Sequence, residues 1–317
     1  MNKRMILYIQ GAILLIESAI MVLPIATALI YRETSGVWFF YTALAAAILG
    51  FAAMKLSKPR TKTIYAKEGL ITVALGWIVL SLVGALPFTL SGEIPFYLDA
   101  VFEMISGFTT TGSSILPNVE ALSRCMLLWR SFSHWLGGMG ILVFMLAIVK
   151  MEGGQGIHLL RAESPGPTVG KMVPRMVDSS KILYTIYFAL TLVQVVFYLA
   201  GGMPLFDSLC NAFATAGTGG FSIKADSFAS YSPYLQTVTT VFMALFGVNF
   251  SIYFFLLQKK FDLAFKNTEL RWYVGIILFS IAMITANILP MYPDFHAAIH
   301  HAAFSVSSVI TTTGFGT

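Results

Sequence analysis

The stretch DAVFEMISGFTTTG, Asp99 to Gly112, recurs as DSLCNAFATAGTGG at Asp207–Gly220 and as HAAFSVSSVITTTG at His301–Gly314, three ungapped copies of 14 residues. Each copy opens on a polar residue and runs through about two and a half turns of small and aromatic side chains. Each then breaks into Thr-x-Gly, and each follows a long apolar run. A segment this short and this polar does not cross a bilayer, which takes ~20 apolar residues. The spacing predicts that each copy dips into the membrane as a short helix and returns. Repetition at matching places makes the span–loop–span unit the building block of the chain.

The composition agrees. Hydrophobic residues make up 57% of the chain and charged residues only 11%, against about 25% charged in an ordinary soluble domain. This is the composition of a polytopic membrane protein, with no polar stretch large enough for a separate soluble domain. The net charge of +5 is not spread as a nucleic-acid footprint would be. Sixteen of the twenty Lys and Arg residues fall at Lys3 and Arg4 and in the loops 55–67, 150–181 and 259–271. Basic loops on alternate sides of successive spans are the positive-inside pattern and set the N-terminus in the cytoplasm. Cys125 and Cys210 offer neither a disulfide framework nor metal spacing and read as two unpaired thiols. Lys3 and Arg4 precede an apolar run long enough to span, so the first helix is read as retained rather than as a cleaved signal.

In order, the sequence predicts span one over 5–30, with Glu17 as a carboxylate hydrogen-bonded between helices, and span two over 37–54. The first repeat has an outer helix over 70–90, a pore loop from Asp99, and a helix from near Arg124 to Val149. Glycines of WLGGMG, 135–140, permit close helix packing; no strand precedes them, so a nucleotide loop is not expected. Arg130 has two open readings, snorkelling to the interface or pairing with Glu103 behind the loop. The Gly- and Pro-containing segment 151–181 reads as a cytoplasmic linker. The second repeat has an outer helix over 182–200, a loop centred on Gly220 and an inner helix over 235–257 with Asn249 near its middle. The third has an outer helix over 272–289 and a loop ending in Gly314. The expected fold is all-α: seven spans and three re-entrant pore helices, all entering from the outside. Its parts are 1–66, an N-terminal two-helix extension; 67–178, the first repeat; 179–268, the second; and 269–317, the third, incomplete.

Thr-x-Gly suits the selection of a monovalent cation. Such an ion sheds water and needs closely spaced oxygens that do not hold it too tightly. Glycine lets backbone carbonyls face inward with unusual dihedrals, and threonine adds a hydroxyl. Thr312-Thr313-Gly314-Phe315-Gly316 looks like the Thr-Val-Gly-Tyr-Gly filter of potassium channels. Asp99 and Asp207 are expected to cap their short helices at the positive dipole end, with His301 equivalent in the third copy and Asp294 a little upstream. The competing reading of one copy is a plain helix end with Gly as left-handed cap; three equivalent copies favour a filter. His296, His300 and His301 lack carboxylate or cysteine partners and read as a helix face near the outer mouth, not a transition-metal site. A secondary transporter would show inverted repeats and a midplane charged site, and an enzyme convergent acid, base or metal residues. The repeats all run one way, and no such catalytic cluster is apparent.

FTTTGSS at 108–114, WRSFSHWLGGMGI at 129–141, RAESPGP at 161–167, TGGFS at 218–222 and TTTGFGT at 311–317 carry a resemblance that covers the whole chain. The chain resembles the membrane subunits of bacterial Trk potassium-uptake systems, TrkH/TrkG, in the Trk/Ktr/HKT superfamily. The resemblance implies four span–loop–span repeats around one pore and two extra N-terminal helices. It implies potassium as the transported ion, with no cofactor in this chain, and an inner-membrane homodimer governed by a cytosolic nucleotide-binding subunit of TrkA type. Membrane lipid surrounds it, and no nucleic acid is bound. It carries ion coordination onto Thr110, Thr111 and Gly112, onto Thr218, Gly219 and Gly220, and onto Thr312, Thr313 and Gly314; Glu103 and Arg130 are candidate filter support only through the pairing reading above. A further inner helix with a gating loop and a fourth repeat are then expected, so these 317 residues read as a fragment of the natural subunit.

Overall fold

A computed structural model describes residues 2–59, 66–140 and 176–317, and every regular element among them is helical. The chain forms two compact units, Met1–Lys181 and Ile182–Thr317.

The first unit contains α1 (Lys3–Ile20), α2 (Val22–Tyr31), α3 (Gly36–Leu56), α4 (Ala66–Ser91), α5 (Tyr97–Phe108) and α6 (Arg124–Met139). The first expected span is interrupted at Met21, between α1 and α2. Pro24 explains the position: it has no N–H to donate to the Ile20 carbonyl and its ring crowds that oxygen. The two pieces together still measure 29 apolar-rich residues, Lys3–Tyr31. α1 and α3 meet at a glycine pair. A Cβ on Gly11 would lie 2.7 Å from the Gly50 carbonyl oxygen, and one on Gly50 would lie 2.7 Å from that of Gly11. Such small residues let helix backbones approach where apolar side chains gain nothing over lipid.

Trp129 of α6 sits at the centre of this unit, fully buried. Its ring meets Phe39 of α3 edge-on at 6.0 Å and Phe108 of α5 at 6.2 Å, and its Nε1–H donates to the Gly84 carbonyl of α4 at 3.0 Å. One side chain thus ties four helices together. The N-terminus of α6 is held by carboxylates from two connections. Glu33 accepts from the Arg124 and Cys125 amides at 2.8 and 2.9 Å, and Glu93 accepts from the Ser123 amide at 2.8 Å. Negative charge belongs there, where free amides and the helix dipole are positive.

Glu17 departs from expectation. It is fully buried, yet neither carboxyl oxygen has a hydrogen-bond partner among the described residues. Its neighbour on α4 is Gly84, which brings no side-chain donor: a Cβ there would lie 3.2 Å from Glu17 Oε1.

The second unit contains α7 (Met176–Ala200), α8 (Leu205–Ala216), α9 (Pro233–Phe246), α10 (Phe250–Leu257), α11 (Phe261–Phe265), α12 (Thr268–Ile288) and α13 (Phe295–Ile310). Its aromatic centre is Phe228, fully buried, with ring centroids 4.8 Å from Phe315, 5.1 Å from Tyr231 and 6.0 Å from Phe304. The inner helix expected over 235–257 is not continuous: α9 and α10 meet at 89°. Asn249 is therefore not mid-helix but the N-cap of α10, its Oδ1 accepting from the Ser251 amide at 3.0 Å. Two carbonyls at the end of α9 accept from hydroxyls. Tyr273 donates to the Ala244 carbonyl at 2.9 Å and Tyr253 to that of Leu245 at 2.6 Å.

Five helices among the described residues are long and apolar enough to cross a membrane, six if the bent α9–α10 pair is one span. The expected continuation of α6 to Val149, the 151–181 linker and RAESPGP lie at or beyond the edge of the described residues.

Candidate functional site

The three copies end their helices at the same repeat position: α5 at Phe108, α8 at Ala216 and α13 at Ile310. From there the backbone takes one path three times. The Thr111 amide donates to the Ser106 carbonyl at 2.9 Å and the Thr110 amide to Gly107 at 3.1 Å. Gly219 and Thr218 repeat this pair on Ala214 and Thr215, both at 3.0 Å. Thr313 and Thr312 repeat it on Ser308 and Val309, at 2.9 and 3.1 Å. This crossed pair is a Schellman closure, which satisfies the last carbonyls of a helix by turning one residue left-handed.

That residue is threonine, not glycine. Thr110, Thr218 and Thr312 have φ of 54°, 50° and 58°. The competing reading set aside above, glycine as the left-handed cap, does not describe these turns. The glycines lie two residues further on and have positive φ of their own: 76° at Gly112, 75° at Gly220 and 85° at Gly314. The residue between is not left-handed in any copy. An L-residue in this region costs about 1–3 kcal/mol, more readily tolerated where the surroundings fix it, and such strain gathers at functional sites. Reversing φ at alternate residues turns alternate peptide planes over, so successive carbonyls can face one side. In a regular strand they would alternate.

Loops two and three meet within the second unit. A Cβ on Gly220 would lie 1.9 Å from the Thr313 carbonyl oxygen, so only glycine fits there. Hydroxyls pair in the first and third copies, Thr109 with Thr111 at 2.8 Å and Thr311 with Thr313 at 2.7 Å. Gly217 and Gly219 stand at these places in the second copy.

Glu103 and Arg130 come together. Arg130 Nε lies 2.5 Å from Glu103 Oε1, and the two side chains are buried, 3% and 0% exposed. The same carboxylate accepts from the Ser114 hydroxyl at 2.9 Å and the Ile115 amide at 3.0 Å. It therefore holds the chain just beyond Gly112 from behind. Arg130 does not snorkel. α6 also packs on the end of α5 at Gly137, whose added Cβ would lie 2.2 Å from the Phe108 carbonyl oxygen.

The aspartates at the head of the repeats are not caps. Asp99 and Asp207 occupy the first turns of α5 and α8, whose N-caps are Phe96 and Pro204 without side-chain bonds. Their charge still faces the positive dipole end. Asp207 accepts from the Tyr231 hydroxyl at 3.3 Å. In the third copy Asp294 is the cap, Oδ1 accepting from the Ala297 amide at 2.7 Å, because α13 begins a turn earlier relative to the repeat. His301 is thus inside its helix, stacked on Tyr292 with centroids 5.0 Å apart, and His300 Nε2 pairs with Gln236 Oε1 at 2.8 Å. Cys125 and Cys210 are free and buried.

Ser308 was not singled out by sequence reasoning. Its hydroxyl donates to the Phe315 carbonyl at 2.7 Å, bracing the third loop. The signal was present, since Ser106 and Ser308 stand at the same repeat position.

These helices define an all-α polytopic membrane protein built around short helices that end in a recurrent, left-handed Thr-x-Gly turn. The family model described as TrkH, cation transport protein, matches residues 36–317. The chain belongs to this family. The Trk system potassium uptake protein TrkH of Escherichia coli (strain K12) is 35% identical over 324 residues, covering 100% of this chain and 67% of the relative. Trk system potassium uptake protein TrkG of the same strain is 31% identical, covering 100% and 66%. The crystal structure of the potassium transporter TrkH from Vibrio parahaemolyticus superposes with a TM-score of 0.86 at 29% identity, covering 100% of this chain and 66% of that one. The chain spans about two thirds of the length of these relatives.

Proposed function

We propose that this chain serves potassium uptake across a bacterial cytoplasmic membrane, with Thr110, Thr111 and Gly112, Thr218, Gly219 and Gly220, and Thr312, Thr313 and Gly314 as the ion-coordinating residues. The observation that carries this reading is the threefold positive–negative–positive alternation of φ through Thr-x-Gly. Backbone carbonyls presented this way replace a hydration shell without a fixed charge that would trap the ion. The C-terminal ends of α5, α8 and α13 add partial negative charge beside these carbonyls. Glu103 and Arg130 serve as support behind the first loop, not as ligands. The division into 1–66, 67–178, 179–268 and 269–317 follows from the repeats, and the basic loops favour an internal N-terminus. The test is growth and ion uptake: the full reading frame expressed in cells lacking other potassium uptake should restore growth at low potassium. Sodium in large excess should compete poorly. No rescue by well-expressed protein, or equal uptake of both ions, would reject the reading.

Relatives named as parts of a Trk system support a multi-component assembly. The proposed form is a homodimer governed by a cytosolic nucleotide-binding subunit of TrkA type. The linker expected over 151–181 is its proposed docking segment, on the strength of RAESPGP; 151–175 lie outside the described residues, and the last six residues belong to α7 instead. Substituting Arg161 and Glu163 should weaken capture of that subunit in a pull-down and leave ion selectivity unchanged. Undiminished capture would make the segment a connector only.

A further inference from the structure

The three loops are braced differently, and among the described residues the third has no charged brace equivalent to the first. The repeat position of Glu103 is occupied by Asn211 in the second copy and by Ser305 in the third. Ser305 is exposed, short and uncharged, and cannot do what the Glu103–Arg130 pair does. Instead, both backbone groups of Gly316, two residues beyond Gly314, are held by the second repeat. The Gly316 carbonyl accepts from the Phe228 amide at 2.9 Å, and its amide donates to the Ser227 hydroxyl at 3.1 Å. Ser227 itself is left-handed, with φ of 58°.

The loop that supplies this grip is in turn fixed by one buried side chain. Gln236 of α9 is 6% exposed, and its Nε2 forks to the Phe228 and Tyr231 carbonyls at 2.9 and 3.2 Å. Its Oε1 meets His300 Nε2 on α13 at 2.8 Å. The Phe228 ring completes the contact, packed on Phe315 of the loop and Phe304 of α13. The links close into a circuit: from α13 through Gln236 to the 222–231 loop, on to Gly316, and back along the third loop to α13.

We propose that Gln236 and Ser227 are positioning residues for the third Thr-x-Gly loop, setting where its carbonyls stand and hence its choice of ion. This rests on the filter reading above. Neither residue touches the ion; each acts through backbone it holds. A filter discriminates by the placement of its oxygens, so losing the single bond from Gly316 to Ser227 behind it shifts selectivity more than it shifts folding, while Gln236 holds the same loop through three bonds.

The experiment uses the full reading frame in cells lacking other potassium uptake. Ser227→Ala, Ser227→Asn, Gln236→Leu and Gly314→Ser are compared for potassium-over-sodium uptake and for folded protein by size-exclusion chromatography. Ser227→Ala should lower the preference for potassium by about fivefold, the effect of one ordinary hydrogen bond, and Gln236→Leu, which removes three, by at least as much. Ser227→Asn should keep it, since Asn offers an acceptor and tolerates positive φ. Ser227 is only half-buried, so its alanine variant separates positioning from folding even if Gln236→Leu accumulates poorly. Wild-type selectivity in Ser227→Ala, with selectivity lost in Gly314→Ser, overturns the positioning role and leaves the filter standing. Unchanged selectivity in Gly314→Ser as well overturns the filter reading and this proposal with it.

Discussion

Gly220→Ala and Gly220→Ser are expected to abolish the preference for potassium over sodium, and to do so more completely than the same changes at Gly314. Both glycines have left-handed φ, 75° and 85°, so any L-residue there incurs a strain of roughly 1–2 kcal/mol. They differ in what surrounds them. A Cβ at Gly220 would lie 1.9 Å from the Thr313 carbonyl oxygen, a contact that forces backbone to move, whereas one at Gly314 meets nothing within 4 Å among the described residues. The first substitution therefore displaces a candidate ligand of the neighbouring loop, and the second strains only its own. Competition between potassium and sodium in uptake measurements, on protein verified as folded, checks the order. Equal effects at the two positions would mean that the approach of loops two and three has no part in selectivity.

Glu103→Gln is expected to deplete folded protein severely. Arg130 is 2% exposed, and the change removes the carboxylate charge that its Nε meets at 2.5 Å. Breaking a buried pair from one side costs about 3–5 kcal/mol, a large part of a typical domain's stability. The double variant Glu103→Leu with Arg130→Leu should recover folded protein, because replacing both charges by apolar groups is often neutral. It should not recover selective uptake, since the bonds from Ser114 and Ile115 to the carboxylate are gone. Size-exclusion profiles in detergent and ion uptake read the two effects apart. Selective uptake from the double variant would reduce the pair to a packing element.

Much of this was legible in the chain because membranes constrain sequence strongly. Length and apolarity alone locate spans, since each must satisfy its own backbone. Outer helices over 70–90, 182–200 and 272–289 accordingly correspond to α4, α7 and α12, with ends shifted by a few residues at most positions. The repeat located the three short helices because the ends of α5, α8 and α13 are encoded locally, by small residues running into Thr-x-Gly. Local encoding does not reach the helix starts, where Asp99 and Asp207 have the residue type of caps but lie in the first turn. The N-cap position falls to whichever residue the preceding connection delivers, and Phe96 and Pro204 stand there without a side chain that can cap.

What the sequence determined by itself is the class of the fold, the placement of the spans and the three turning points, because each depends on periodicity, length or glycine within a dozen residues. Tertiary structure alone decided the rest. The bend between α9 and α10 is held open by hydroxyls of Tyr253 and Tyr273, the latter on another helix. Arg130 could have reached for the interface; the Glu103 carboxylate decided otherwise. Thr110, Thr218 and Thr312 took the left-handed residue of each turn, although glycine stood two places away. Side chains with several possible partners choose among them only when distant segments are packed together, and no spacing along one chain carries that choice.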